Sequence, residues 1–170
     1  MTSHNQTQEF GAEFDLKMMK KALALARKSE SLGEVPIGAV ITDKTGQIVA
    51  QATNLRETKC TVLGHAELVA IHRACKALNS WRLTDCTLYV TLEPCFMCAG
   101  ALVQSRIGRV VFGTRDPKGG ALVSLGNLGT LDQLNHQFQI TEGVLSDDCG
   151  LILKKFFKLK RKNKKVESTI

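Results

Sequence analysis

The chain is predicted to be an α/β domain of three layers, with a central mixed sheet of about five strands flanked by helices. Three observations predict it. A long amphipathic helix comes first, a hairpin of apolar strands follows, and helix and strand then alternate to the end. Residues 1–10 are polar and are expected to be disordered. Residues 13–31 read as a helix, because Leu16, Met19, Leu23 and Ala26 recur at helical spacing and Gly33 stands where a C-cap falls. Residues 35–41 form an apolar run of strand length, 43–46 (Asp-Lys-Thr-Gly) form a turn, and 47–53 return as the second strand of a hairpin. Residues 54–64 have no period and read as a loop. Residues 65–77 read as a helix with Leu68, Ile71 and Ala74 or Cys75 on one face. Residues 87–91 are rich in β-formers, Glu93-Pro94 interrupts them, and 95–105 return to helical composition. Residues 109–113 make a short apolar strand, 116–129 a glycine-rich loop, and 138–141 a last strand. Ser146 or Asp147 caps a final helix. A single domain over residues 11–161 is expected, followed by a basic, disordered tail over 162–170.

Composition narrows the function classes. The chain has 170 residues, 44% of them hydrophobic, which excludes a disordered chain. Its apolar runs are of strand length and fall well short of the roughly 20 residues of a membrane span. Residues 1–9 lack the apolar core of a secretory signal, so a cytoplasmic location is expected. The formal net charge is +7, with 23 Lys+Arg against 16 Asp+Glu, but it is unevenly placed. Eight positive charges and no acid lie between Lys154 and Lys165; removing those eight from +7 leaves −1. The basicity therefore belongs to the C-terminal segment. Such a block either meets an anionic partner or only solubilises the end of the chain.

Six cysteines without a signal do not suggest a disulfide framework. Cys60, Cys75, Cys86 and Cys149 stand singly among apolar neighbours, where free cysteine behaves as a small hydrophobe. Cys95 and Cys98 form a C-x-x-C directly after Pro94. With His65 they make one imidazole and two thiolates, a set that zinc prefers, and three protein ligands leave a fourth position open for catalysis. His65 and Cys95 each open a predicted helix, where free N–H groups and the positive dipole end favour thiolate. Glu67 follows His65 by two residues, close enough to serve as general base and then general acid. A C-x-x-C opening a helix after a strand also fits a redox pair, and a histidine at a helix start also fits a structural role. Taken together, H-x-E followed by P-C-x-x-C is the signature of the zinc deaminases of nucleobases.

The resemblance extends well past the signature. Residues 34–40 (Glu-Val-Pro-Ile-Gly-Ala-Val), 65–67 (His-Ala-Glu), 88–95 (Leu-Tyr-Val-Thr-Leu-Glu-Pro-Cys), 97–101 (Met-Cys-Ala-Gly-Ala) and 105–113 (Ser-Arg-Ile-Gly-Arg-Val-Val-Phe-Gly) resemble the bacterial tRNA-specific adenosine deaminases of the cytidine and deoxycytidylate deaminase superfamily. So do Arg115-Asp116, Asn135-His136, 141–143 (Thr-Glu-Gly) and Phe156-Phe157. The resemblance implies a cytidine-deaminase-like sandwich, a homodimer, and a tRNA anticodon stem-loop as partner. It implies hydrolytic deamination of adenosine to inosine at the wobble position, with zinc hydroxide attacking C6 and Glu67 shuttling the proton. It assigns one Zn2+ per subunit to His65, Cys95 and Cys98, and substrate binding to Asn54, Asp116, Val35, Phe157, Lys158 and Arg161. The rival within the same fold is a deaminase of free bases or nucleotides, which does not need a basic, aromatic-bearing C-terminal helix. One stretch departs from the family pattern: residues 60–64 read Cys-Thr-Val-Leu-Gly, where the family usually has Asp-Pro-Thr-Ala or something similar.

Overall fold

A computed structural model describes residues 10–167. The first helix, α1 (Ala12–Ser31), ends in a left-handed turn at Gly33, whose φ is +76°. There the N–H of Gly33 donates to the carbonyl of Glu30 and that of Glu34 to the carbonyl of Ser29, which satisfies two of the last carbonyls of the helix. Met19, Leu23 and Ala26 are buried as the spacing predicts, whereas Leu16 is exposed. The disorder expected for residues 1–10 falls outside the described residues, except at Phe10. That residue is placed, with its ring centroid 4.6 Å from that of Phe14.

The hairpin is β1 (Gly38–Thr42) and β2 (Ile48–Thr53). In its turn the Asp43 carboxylate accepts from the backbone N–H of Thr45 and Gln47 and from the Thr45 hydroxyl, and Gly46 takes a positive φ. A loop and a short 3-10 turn (Val62–Gly64) lead into α2 (Ala66–Ala77). Next come β3 (Thr87–Leu92), α3 (Phe96–Gln104), β4 (Arg109–Thr114), β5 (Gln139–Thr141) and α4 (Ser146–Glu167). The sheet order is β2-β1-β3-β4-β5. β1 is antiparallel to both β2 and β3, while β3, β4 and β5 run parallel. The three-layer mixed sandwich expected from the sequence is the observed fold.

Alternate residues of the central strands face different layers. Ala39, Ile41, Leu88, Val90, Val110 and Phe112 pack with α2 and α3. Val40, Tyr89 and Val111 pack with α1 and Cys149 of α4. Burial on both faces is why these strands read as unbroken apolar runs. The deepest contacts of α2 come from Ala66, Ala70 and Ala74, with Leu68, Ile71 and Cys75 only half-buried. Alanines at i, i+4 and i+8 let the helix approach the larger strand side chains, so its inner face lies to one side of the expected one. The final helix continues through Glu167, beyond the end that the sequence reading gave it. No Gly or Pro follows Gly150, and Lys, Arg and Leu are good helix formers.

A buried ion pair fastens α1 to the sheet. Arg109 donates to Asp15 at 2.9 and 2.6 Å through two nitrogens, and the Tyr89 hydroxyl donates to the same carboxylate at 2.9 Å. Both charged side chains are almost fully buried. Asp15→Ala leaves Arg109 charged in the core and is expected to cost about 3–5 kcal/mol of stability. Urea unfolding at neutral pH measures it; a loss below about 1 kcal/mol would show that the guanidinium finds other acceptors.

Candidate active site

The three predicted metal ligands meet. His65 Nδ1 lies 3.7 Å from Cys95 Sγ and 3.5 Å from Cys98 Sγ, and the three donor atoms lie within 4.8 Å of one another. His65 is the N-cap of α2 and Cys95 the N-cap of α3; neither side chain caps its own helix, so both are free to turn inward. Cys98 sits one turn into α3 and is fully buried. Hydrogen bonding with Cys98 and then with His65 lowers Cys95 to about 4, against an opposing burial effect. Hydrogen bonding to Cys95 and burial push Cys98 up. The pair thus yields one proton readily and holds the second, and a cation held there would supply the charge that removes both.

Glu67 lies in the first turn of α2 and is 3% exposed. Burial raises its carboxyl above the usual carboxylate range. Its Oε2 has no hydrogen-bond partner among the described residues. An orphaned acceptor in the interior calls for a donor that the protein does not provide, such as a water or a ligand. The donor set and this orphaned oxygen fit a metal site with an open position rather than a closed structural one. The remaining cysteines take no part. Cys86 and Cys149 are buried, and burial pushes their thiols up to about 11 and about 12. Cys60 is exposed, contrary to the expectation of an apolar setting, with φ +47° and its thiol against the Glu57 carbonyl.

Two buried glutamates that the sequence reading did not single out shape the surroundings. Glu34, fully buried, accepts from Asn54 Nδ2 at 3.1 Å and from the backbone N–H of Glu57 and Thr58. It thereby holds the base of the loop over 54–64. The Leu55 N–H donates to Gly64 O at 2.8 Å and closes that loop directly before His65. Gly64 is required there, since a Cβ would stand 2.8 Å from the Arg56 nitrogen. Glu93 plays the same part for the segment after β4: its carboxylate accepts from the backbone N–H of Asp116, Leu122, Val123 and Ser124. The available signal was a carboxylate inside an otherwise apolar run, as in Val90-Thr91-Leu92-Glu93-Pro94.

The other predicted site residues are distributed around this centre. Asn54 is buried, with its amide oriented by Glu34. Val35 is half-buried, and its carbonyl accepts from the Ser29 hydroxyl. Asp116 is half-buried and caps the turn at Lys118. Phe157, Lys158 and Arg161 are exposed on α4, and no described hydrogen bond or ion pair joins them to the cluster. His136 Nε2 donates to Ile107 O over 2.7 Å, which gives it a packing role.

A family model described as MafB19-like deaminase matches residues 14–165. The tRNA-specific adenosine deaminase of Bacillus subtilis is 54% identical over 147 residues, covering 86% of this chain and 91% of that protein. The chain belongs to the tRNA-specific adenosine deaminase family. The deaminase of that name from Haemophilus influenzae is 44% identical over 159 residues, covering 94% and 92% of the two chains. A solved structure from a study of A-to-I editing by tRNA:A34 deaminases at the wobble position of transfer RNA superposes on this deaminase with a TM-score of 0.77 at 39% identity. It covers 81% of this chain and 99% of that one.

The electrostatics of the Glu34 anchor make a testable pH dependence. Burial opposes ionisation of Glu34, yet hydrogen bonds from Thr58 and Glu57 hold it below its ordinary value of 4.5. A carboxyl depressed on folding contributes stability in full above its unfolded pKa and loses it as pH falls through the lower folded pKa. Glu34→Gln is therefore expected to cost about 2 kcal/mol or more at pH 7. The gap from the parent should narrow below about pH 4.5 in urea unfolding; a gap that stays constant down to pH 3 would contradict this origin.

Proposed function

We propose that this chain deaminates adenosine to inosine at the wobble position of a tRNA anticodon, with zinc as its cofactor. The observation that carries the reading is the buried, unpartnered Glu67 Oε2 beside the His65, Cys95 and Cys98 cluster, in a chain 54% identical to a tRNA-specific adenosine deaminase. His65, Cys95 and Cys98 would hold the ion, one per subunit. A zinc ion so held supplies Lewis acidity that makes water nucleophilic at neutral pH.

The rest falls to the chain's own groups. Glu67 Oε2 accepts a proton from the attacking water and returns it to the departing amine, so water adds at C6 and ammonia leaves. Burial suits this exchange, because a raised carboxyl pKa lies nearer the working pH of a general acid–base group. Asn54 presents an amide already fixed by Glu34 and so holds the target nucleotide without paying to order itself. Val35, on the loop before β1, adds to the substrate site, and Asp116, on the loop after β4, meets the backbone of the anticodon loop. Phe157, Lys158 and Arg161 on α4 offer an aromatic face and positive charge to an RNA loop. Val62, Leu63 and Phe96 are exposed around the cluster and suit a homodimer contact. A tRNA substrate places the reaction in the cytoplasm, and no helix among the described residues is long and apolar enough to cross a membrane.

An anticodon stem-loop with a wobble adenosine is expected to accumulate inosine with the zinc-loaded chain, while free adenine, cytosine and guanine do not react. Activity confined to the free bases would overturn the substrate. Glu67→Ala should keep zinc and RNA bound yet lower kcat by at least about 10²-fold; undiminished inosine formation would remove Glu67 from the mechanism. Replacing Lys158, Lys160 and Arg161 by alanine should weaken RNA binding and flatten the slope of log K against log salt by about 2. An unchanged slope would leave the segment a solubiliser.

A further inference from the structure

The segment that follows β4 is wound around a single side chain. Glu93 is 2% exposed. Its Oε2 accepts from the N–H of Asp116 at 3.0 Å and from the Ser124 hydroxyl. Its Oε1 accepts from the N–H groups of Leu122, Val123 and Ser124 at 3.2, 2.8 and 2.9 Å. Gly120 completes the wrap, since a Cβ there would stand 2.2 Å from the carboxyl carbon. Backbone ties run alongside. Glu93 N–H donates to Thr114 O and Ala121 N–H to Pro94 O, both at 2.9 Å, and Cys95 bridges Gly120. The segment between Thr114 and Ser124 has no helix or strand of its own. The backbone donors of Asp116, Leu122, Val123 and Ser124 are satisfied by this carboxylate instead.

We propose that Glu93 is a positioning residue for substrate capture: it sets the 115–124 segment, and with it Asp116, against the turn that carries Cys95. This rests on the proposed action upon a tRNA loop. Five donors on two oxygens require an acceptor-only group. Glutamine would turn an NH2 toward one of the two donor sets, and aspartate is one methylene too short to reach both. Glu93 acts through the segment it holds and not on the reacting atoms. Its loss therefore falls on binding rather than on bond making.

The test uses the zinc-loaded full chain and an anticodon stem-loop with a wobble adenosine. Glu93→Gln is expected to raise KM by at least about tenfold while kcat changes by less than about threefold. Zinc content should stay at the parent's level, and trypsin should cut after the exposed Lys118 faster. Ser124→Ala, which removes one donor, and Gly120→Ala, which crowds the carboxylate, should shift KM in the same direction, and they decide the matter if Glu93→Gln does not fold. A fall in kcat with KM unchanged, loss of zinc, or a lower Tm with intact kinetics would each overturn the proposal. If the parent itself makes no inosine, the substrate reading fails. Faster cleavage in Glu93→Gln would then still support the positioning role, and unchanged cleavage would overturn it.

Discussion

A sheet whose central strands are apolar on both faces has to be covered twice, and the site follows from how that cover is applied. β1, β3 and β4 bury one set of side chains under α2 and α3 and the alternate set under α1 and α4. Placing α2 and α3 on the same face brings their N-termini together. His65 and Cys95 occupy those two positions, and the turn of helix after Cys95 adds Cys98. Three polarisable donors thus meet at two positive helix ends with no contact designed solely for them. The hydrophobic cover and the ligand cluster are one construction.

Much of this was legible in the residues. Every helix and strand was readable because the chain is punctuated by Gly33, Asp43 to Gly46, Pro94 and the glycine-rich segment after Asp116. The cluster was legible because soft ligands at short spacing are rare among ordinary core residues. Less legible was what depends on packing. The inner face of α2 is set by alanines, which carry almost no periodic signal beside Leu68 and Ile71. Cys60 is expected in an apolar setting as a lone free cysteine, but a left-handed turn puts it outside. The reach of α4 exceeded the reading because a run of like charge suggests fraying, while helix propensity carries the backbone on to Glu167.

The buried carboxylates divide by what surrounds them. Asp15 meets a guanidinium and a phenol and ties helix to sheet. Glu34 and Glu93 meet mainly N–H donors and give irregular chain a fixed shape. Glu67 alone is left with an oxygen unsatisfied. A buried acid with all its donors is a fastener; one short of a donor has room for another group to bind. Sequence marks out Glu67 by its spacing from His65, but the donors that Asp15, Glu34 and Glu93 each meet come from distant segments and are visible only in the fold.

The close seating of α4 on β4 has a mechanical consequence. Gly113 leaves room for Cys149, whose sulfur would stand 2.5 Å from a Cβ at that position. From Cys149 to Glu167 the helix runs on for about 27 Å at 1.5 Å per residue. The contact at Gly113 is therefore the fulcrum of a long arm. A side chain added there, tilting the helix by about 10°, would sweep the far end through about 5 Å, comparable to the rise of three residues. One missing methyl group in the sheet governs where the segment that carries the molecule's net positive charge is held.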